Sequence, residues 1–122
     1  MLSLACLVAI VIPLAATSAL RRSQSAFAAG DLGAALADAR DAVRIEPGAS
    51  SAQLQVALVL ERRHDFSGAV AAAAQACADS PQRWDAWLIR SRLEAEAGDA
   101  SAALSDYERA RELNPHSRLF QA

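Results

Sequence analysis

The chain contains no lysine: all twelve of its basic residues are arginine. They are interspersed with 14 acidic residues, giving a formal net charge of -2, so no basic surface for nucleic acid is expected. Aromatic residues are scarce as well, at 5% against 53% hydrophobic overall. Alanine supplies much of that apolar total, which favours close-packed helices over sheets rich in aromatic and β-branched side chains. The two cysteines, Cys6 and Cys77, lie far apart without metal-ligand spacing or a Cys-x-x-Cys pair, and neither a structural disulfide nor a metal centre is expected. The two histidines, His64 and His116, have no paired carboxylate or thiolate spacing beside them. No Gly-x-Ser-x-Gly turn or glycine-rich phosphate loop occurs either. Catalysis, a metal and a cofactor are therefore not expected. At 122 residues the chain has room for one domain, or for one small helical domain plus an anchor.

Long apolar runs are absent except at the start. Leu2 to Leu20 reads LSLACLVAIVIPLAATSAL, nineteen residues without a charge, close to the roughly 20 that a helix needs to cross hydrocarbon. Pro13 would kink a soluble helix but is tolerated in a span. Three readings are open: a retained span, a secretory signal peptide with Ser25-Ala26-Phe27-Ala28 behind it, and a helix buried in protein. The retained span is favoured, because no basic residue precedes the apolar stretch and Arg21 and Arg22 come directly after it. Positive charge on that side keeps the downstream domain in the cytoplasm. Residues 1–22 are thus expected to be a transmembrane or anchor helix that runs on into an all-α domain over residues 23–122.

That domain is periodic. Pro47, Pro81 and Pro115 are spaced by 34 residues, and so are Asp31, Asp65 and Asp99. In the same register fall Ala35, Ala69 and Ala103, then Leu36, Val70 and Leu104, and Ala42, Ala76 and Ala110. Apolar residues at three- and four-residue spacing predict helices over 32–45, 66–78 and 100–113, each stopped by the proline behind it. Two more helices are predicted between them, over roughly 50–63 and 82–97. Gly30-Asp31, His64-Asp65 and Gly98-Asp99 break each pair into a hairpin, the aspartate capping the next helix. Small residues at 35, 69 and 103 let paired helices approach closely. The serines at 23, 25, 50, 51 and 67 fall near predicted helix starts or turns, where capping is their ordinary role.

This period and its side chains resemble the tetratricopeptide repeat. In the last repeat Trp87, Ser91, Gly98, Ala103, Tyr107, Ala110 and Pro115 occupy the family's positions. The middle repeat departs from them, with Gln53 for the tryptophan, Ala57 and Leu60 in pattern, and Ala73 for the aromatic. The first has its second helix in pattern, and its first helix would be residues 17–29, emerging from the apolar segment. The resemblance implies an α-solenoid of about three hairpins, ending at residues 47, 81 and 115.

The chain also looks like the C-terminal tail of bacterial O-antigen ligase or polymerase-type membrane proteins. The stretches that carry this are Leu20-Arg21-Arg22-Ser23-Gln24, residues 54–61, residues 87–96 and the ending of residues 113–120. It implies a non-catalytic accessory part of a cell-envelope polysaccharide system.

By resemblance to tetratricopeptide arrays, a peptide or helix would bind in a concave groove lined by the first helix of each hairpin. The facing positions are then Ser51, Leu54, Gln55, Leu58, Glu61 and Arg62, continued by Asp85, Leu88, Ile89 and Arg92. The competing reading is that these side chains are solvated or covered by the chain's own tail. Trp87 is expected to be packed in the repeat core and Trp84 to be exposed, while Cys77 reads as a buried small hydrophobe.

Overall fold

In the computed structural model the backbone of residues 4–121 and the side chains of residues 14–121 are described. Three aspartates punctuate the chain as their spacing predicts. Asp31, Asp65 and Asp99 each accept a hydrogen bond from the N–H three residues on, at Ala34, Gly68 and Ala102, over 3.1, 3.0 and 3.0 Å. Each therefore satisfies an orphan donor at a helix start. The residue before each aspartate has a positive φ, at Gly30, His64 and Gly98. The aspartate N–H then reaches back five residues, to Ala26, Leu60 and Glu94, at 2.9 Å each time, which closes the preceding helix.

Among the described residues this yields six α-helices: α1 (Leu4–Ala28), α2 (Leu32–Ile45), α3 (Ser50–Arg62), α4 (Phe66–Asp79), α5 (Trp84–Glu96) and α6 (Ala100–Leu113). A single 3₁₀ turn comes after them at Arg118–Phe120. Helices α2, α4 and α6 stop two residues before their prolines. The intervening Glu46, Ser80 and Asn114 have left the helical region, with φ of -136°, -136° and -143°, because the ring of a following proline disfavours it.

The helices pair as α1 with α2, α3 with α4 and α5 with α6, and the pairs stack through α2 against α3 and α4 against α5. Ala35, Ala39, Ala57, Ala69 and Ala73 are fully buried where the helices meet, and Leu36, Val56, Val59, Leu60 and Leu93 fill the space around them. Alanine at the contacts brings helix backbones together, so packing density rather than side-chain bulk holds the pairs.

Helix α1 runs unbroken past residue 22 and supplies the first helix of the first hairpin. Ser23 makes that plain. It is fully buried in the helix interior and donates to the Ala35 carbonyl at 2.6 Å, so it clasps α1 to α2 and is not a cap. Two periods later Ser91 does the same to Ala103, again at 2.6 Å. The ion pairs Arg22–Asp38 and Arg90–Asp106, at 3.7 and 3.0 Å, also stand two periods apart. The middle hairpin replaces both clasps with alanine and valine at 56, 57, 69 and 72.

No helix among the described residues is long and apolar enough to cross a membrane. Much of the span expected over 1–22 falls on residues 1–13, whose side chains lie outside the described set.

Candidate partner-binding face

The first helices of the second and third hairpins, α3 and α5, carry every side chain expected at a groove. Their N-terminal ends are joined by Arg83, which sequence reasoning missed. Its guanidinium donates to Ser50 Oγ at 3.1 Å and Ser51 Oγ at 2.7 Å, and pairs with Asp85 at 2.8 and 3.1 Å. Ser50 and Ser51 are thereby acceptors for an arginine, while the N-cap position of α3 is Ala49, with no side-chain cap. Arginine occurs at this repeat position once, with Ala49 and Ser117 as its counterparts, so no periodic signal could reveal it.

Near the other end, Arg92 of α5 reaches Glu61 of α3 through two hydrogen bonds of 2.8 and 3.2 Å, a forked pairing that fixes orientation. Glu96 stands 3.7 Å from the same guanidinium. A hydrogen bond to Glu61, with smaller effects of burial and the Glu61 charge, holds the Glu96 carboxyl above its ordinary value. Arg62 lies over the Phe27 ring of α1 at 5.1 Å, a cation–π contact to the first hairpin. Ser51, Glu61, Arg62, Asp85 and Arg92 thus form a polar row across neighbouring hairpins, with the half-buried Leu58 on α3.

Two expected groove residues are elsewhere. Leu54 is only 4% exposed and packs with Ala76, Cys77 and Ala86 at the junction of the second and third hairpins. Gln55 is 7% exposed and donates its amide to Ser23 Oγ at 3.2 Å. Both are covered by neighbouring hairpins and offer a partner nothing. Leu88 and Ile89 are half-buried. Together with Ser91, Arg92, Ala95 and Tyr107 they line a cleft of about 360 Å³. Ser51 borders a separate cleft of about 230 Å³ with Ala16, Thr17 and Leu20 of α1. The expected residues therefore divide between a bridged polar row, an end cleft and the interior.

Trp87 is packed as expected and donates its indole N–H to the Pro81 carbonyl at 3.0 Å. Trp84 is partly buried rather than exposed, because Phe120 of the 3₁₀ turn meets it edge-on at 6.1 Å and meets Tyr107 at 5.3 Å. Cys77 is buried, and desolvation pushes its thiol up to about 11 against the opposing charge of Arg90, so it is an unreactive packing group at neutral pH. Among the described residues no group of three His, Cys, Asp or Glu side chains is placed to hold a metal ion.

A family model described as tetratricopeptide repeat matches residues 54–118. No curated protein matches the chain. Among solved structures, it is similar to the first TPR of Spaghetti (RPAP3) bound to the HSP90 peptide SRMEEVD, with 19% identity, 88% of this chain and 86% of that chain covered, and a TM-score of 0.82. It is also similar to the first TPR domain of human RPAP3, with 20% identity, 89% and 86% covered, and a TM-score of 0.83. A third is the TPR2B domain of yeast Sti1 in its pHsp70 complex, with 17% identity, 87% and 85% covered, and a TM-score of 0.81. At these identities the likeness is one of fold.

Proposed function

This chain belongs to the tetratricopeptide repeat family, and on that premise we propose that it is a non-catalytic protein-interaction module that takes a peptide or helix across α3 and α5. One observation carries the reading: two side-chain bridges, Arg83 to Ser51 and Arg92 to Glu61, tie the two helices into a single surface. A surface held in this way loses little conformational freedom when a partner lies on it. The similar folds that were solved with an HSP90 peptide and as a pHsp70 complex support the reading at the level of the fold. We further assign the N-terminal segment to a membrane and the repeats to its cytoplasmic side, on the uncharged run of residues 2–20 and the arginine pair behind it.

Affinity capture with the full chain against a Leu58→Glu, Arg92→Glu double variant tests the face. Loss of a partner from the variant supports it, and an identical set of partners from both overturns it. Alkaline extraction of membranes, followed by protease treatment from each side, tests the anchor. Release by alkali, or cleavage of the repeats from the outer side, would sink it.

A second reading, a non-catalytic tail of a cell-envelope polysaccharide ligase or polymerase system, is favoured by the continuity of α1 from Leu4 into the first hairpin. A multi-span reading frame directly upstream supports it, and an isolated gene argues against it.

A further inference from the structure

A cleft of about 470 Å³ opens between α2 and α3, and it shares no lining residue with the α3–α5 face. Val43 and Val56 give it an apolar lining, and Arg40, Asp41, Arg44 and Gln53 give it a polar one. The repeat itself says what shape of group belongs there. One period on, Gln53 is replaced by Trp87, Val43 by Cys77 and Arg44 by Ala78. In that repeat the Trp87 indole packs on the cluster that contains Cys77, and Cys77 is only 2% exposed. Val43, at the same position one repeat earlier, is half-buried. One junction of the array is thus closed by an indole from the chain, and the preceding one is left open because an amide stands in its place.

The charges around the open junction differ as well. Arg40 and Arg44 stand where the closed junction has Ala74 and Ala78. Arg44 pairs with Asp41 on its own helix, and Arg40 makes no ion pair among the described residues. An indole entering between them would bury on the order of 150–250 Å² of ring surface and present its face to a guanidinium. A carboxylate on one side of it would meet the guanidinium of Arg40, unpaired among the described residues, and one on the other side would share Arg44 with Asp41.

We propose that the α2–α3 cleft is a second binding site, which receives a tryptophan side chain flanked by acidic residues on a partner peptide. The partner supplies in trans the indole that Trp87 supplies within the chain.

The probe is an acetylated pentapeptide with a central tryptophan and two acidic residues on each side, titrated by calorimetry and methyl NMR against the full chain in detergent. Saturable binding that shifts the Val43 and Val56 methyl signals is expected. Gln53→Trp fills the cleft from within, so it should keep or raise the melting temperature and weaken the peptide by about tenfold or more. Arg40→Glu should weaken it similarly without touching the core, and serves if Gln53→Trp does not fold. The Leu58→Glu, Arg92→Glu variant should bind the probe unchanged, which separates this site from the α3–α5 face. Equal affinity for a peptide with alanine in place of the tryptophan would overturn the proposal. So would undiminished binding by Gln53→Trp or Arg40→Glu, or methyl shifts confined to Leu58 and Leu88.

Discussion

The hydroxyl of Ser23 donates to the carbonyl of Ala35 across 2.6 Å of fully buried space. Its oxygen also accepts from the Gln55 amide at 3.2 Å, so one side chain in α1 engages both α2 and α3. Ser91 makes the equivalent bond to Ala103.

Replacing Ser23 by alanine removes the bond to Ala35 and leaves the buried Gln55 amide short of a partner. A buried donor left unpaired costs more than an ordinary hydrogen bond, so Ser23→Ala is expected to cost about 2 kcal/mol and Ser91→Ala about 1 kcal/mol. Urea titration of the two variants beside the parent checks the order. Equal midpoints for both would mean that Gln55 finds another partner.

Glu94 and Asp106 are both buried between α5 and α6, and the Nε of Arg90 lies 3.0 Å from a carboxylate oxygen of each. One cation faces two acids. Burial first, and then the neighbouring Asp106, push Glu94 up to about 7 from an ordinary 4.5, against the pull of Arg90. A group with a raised folded pKa takes up a proton on folding, so the folded state is favoured at low pH. Stability should fall as the pH rises from about 4.5 to about 7, by about 3 kcal/mol, and level off above. Glu94→Gln should flatten that slope. Parallel pH curves for the parent and the variant would remove Glu94 as its source.

His64 stands at φ 61°, where the other two hairpins have Gly30 at 82° and Gly98 at 92°. A side chain in the left-handed region is strained by about 1–2 kcal/mol, partly offset here by the edge contact of His64 with Phe66 at 5.9 Å. Glycine relieves the strain but frees the unfolded chain. His64→Gly is therefore expected to gain roughly 0.5 kcal/mol, while Gly98→Ala should lose about 1 kcal/mol or more. Thermal melts of both, with opposite shifts, check the assignment.

Caps and stops were legible in the sequence because they are local chemistry. An aspartate after a left-handed residue begins a helix, and a proline ends one, wherever the pair occurs, and Asp31, Asp65 and Asp99 repeat it three times. The serine clasp stands in one column, as Ser23, Ala57 and Ser91, but Ser23 directly follows the arginine pair and reads there as a cap. The candidate site was less legible, for a different reason. Whether a position on a first helix faces solvent depends on what stacks beyond it, and a repeat pattern assigns every hairpin the same neighbours. Arg83 bridges two hairpins from a position that the pattern leaves to a cap, and Gln55 is drawn inward by a serine in another repeat.

Leu54 and Leu88 isolate that effect, since they occupy the same position 34 residues apart. Leu54 is closed over by α5, whereas Leu88 lines the end cleft beside Tyr107. On the outer helix α6, Leu104 is 62% exposed, while its counterpart Leu36 is 5% exposed within the array. Truncating a buried leucine costs both its transfer energy and a cavity, and truncating a half-buried one costs only part of the first. Leu54→Ala is therefore expected to lose about 3 kcal/mol and Leu88→Ala about 1 kcal/mol. The difference should belong to the neighbour and not to the residue. If a further hairpin of the same register is fused after Pro115, Leu88 becomes an interior position, and the cost of Leu88→Ala should climb towards that of Leu54→Ala. Denaturant titration of the parent, its two leucine variants, the extended array and the Leu88→Ala form of that array measures this directly. An unchanged cost at Leu88 in the extended array would mean that the end cleft is already closed by the 3₁₀ turn.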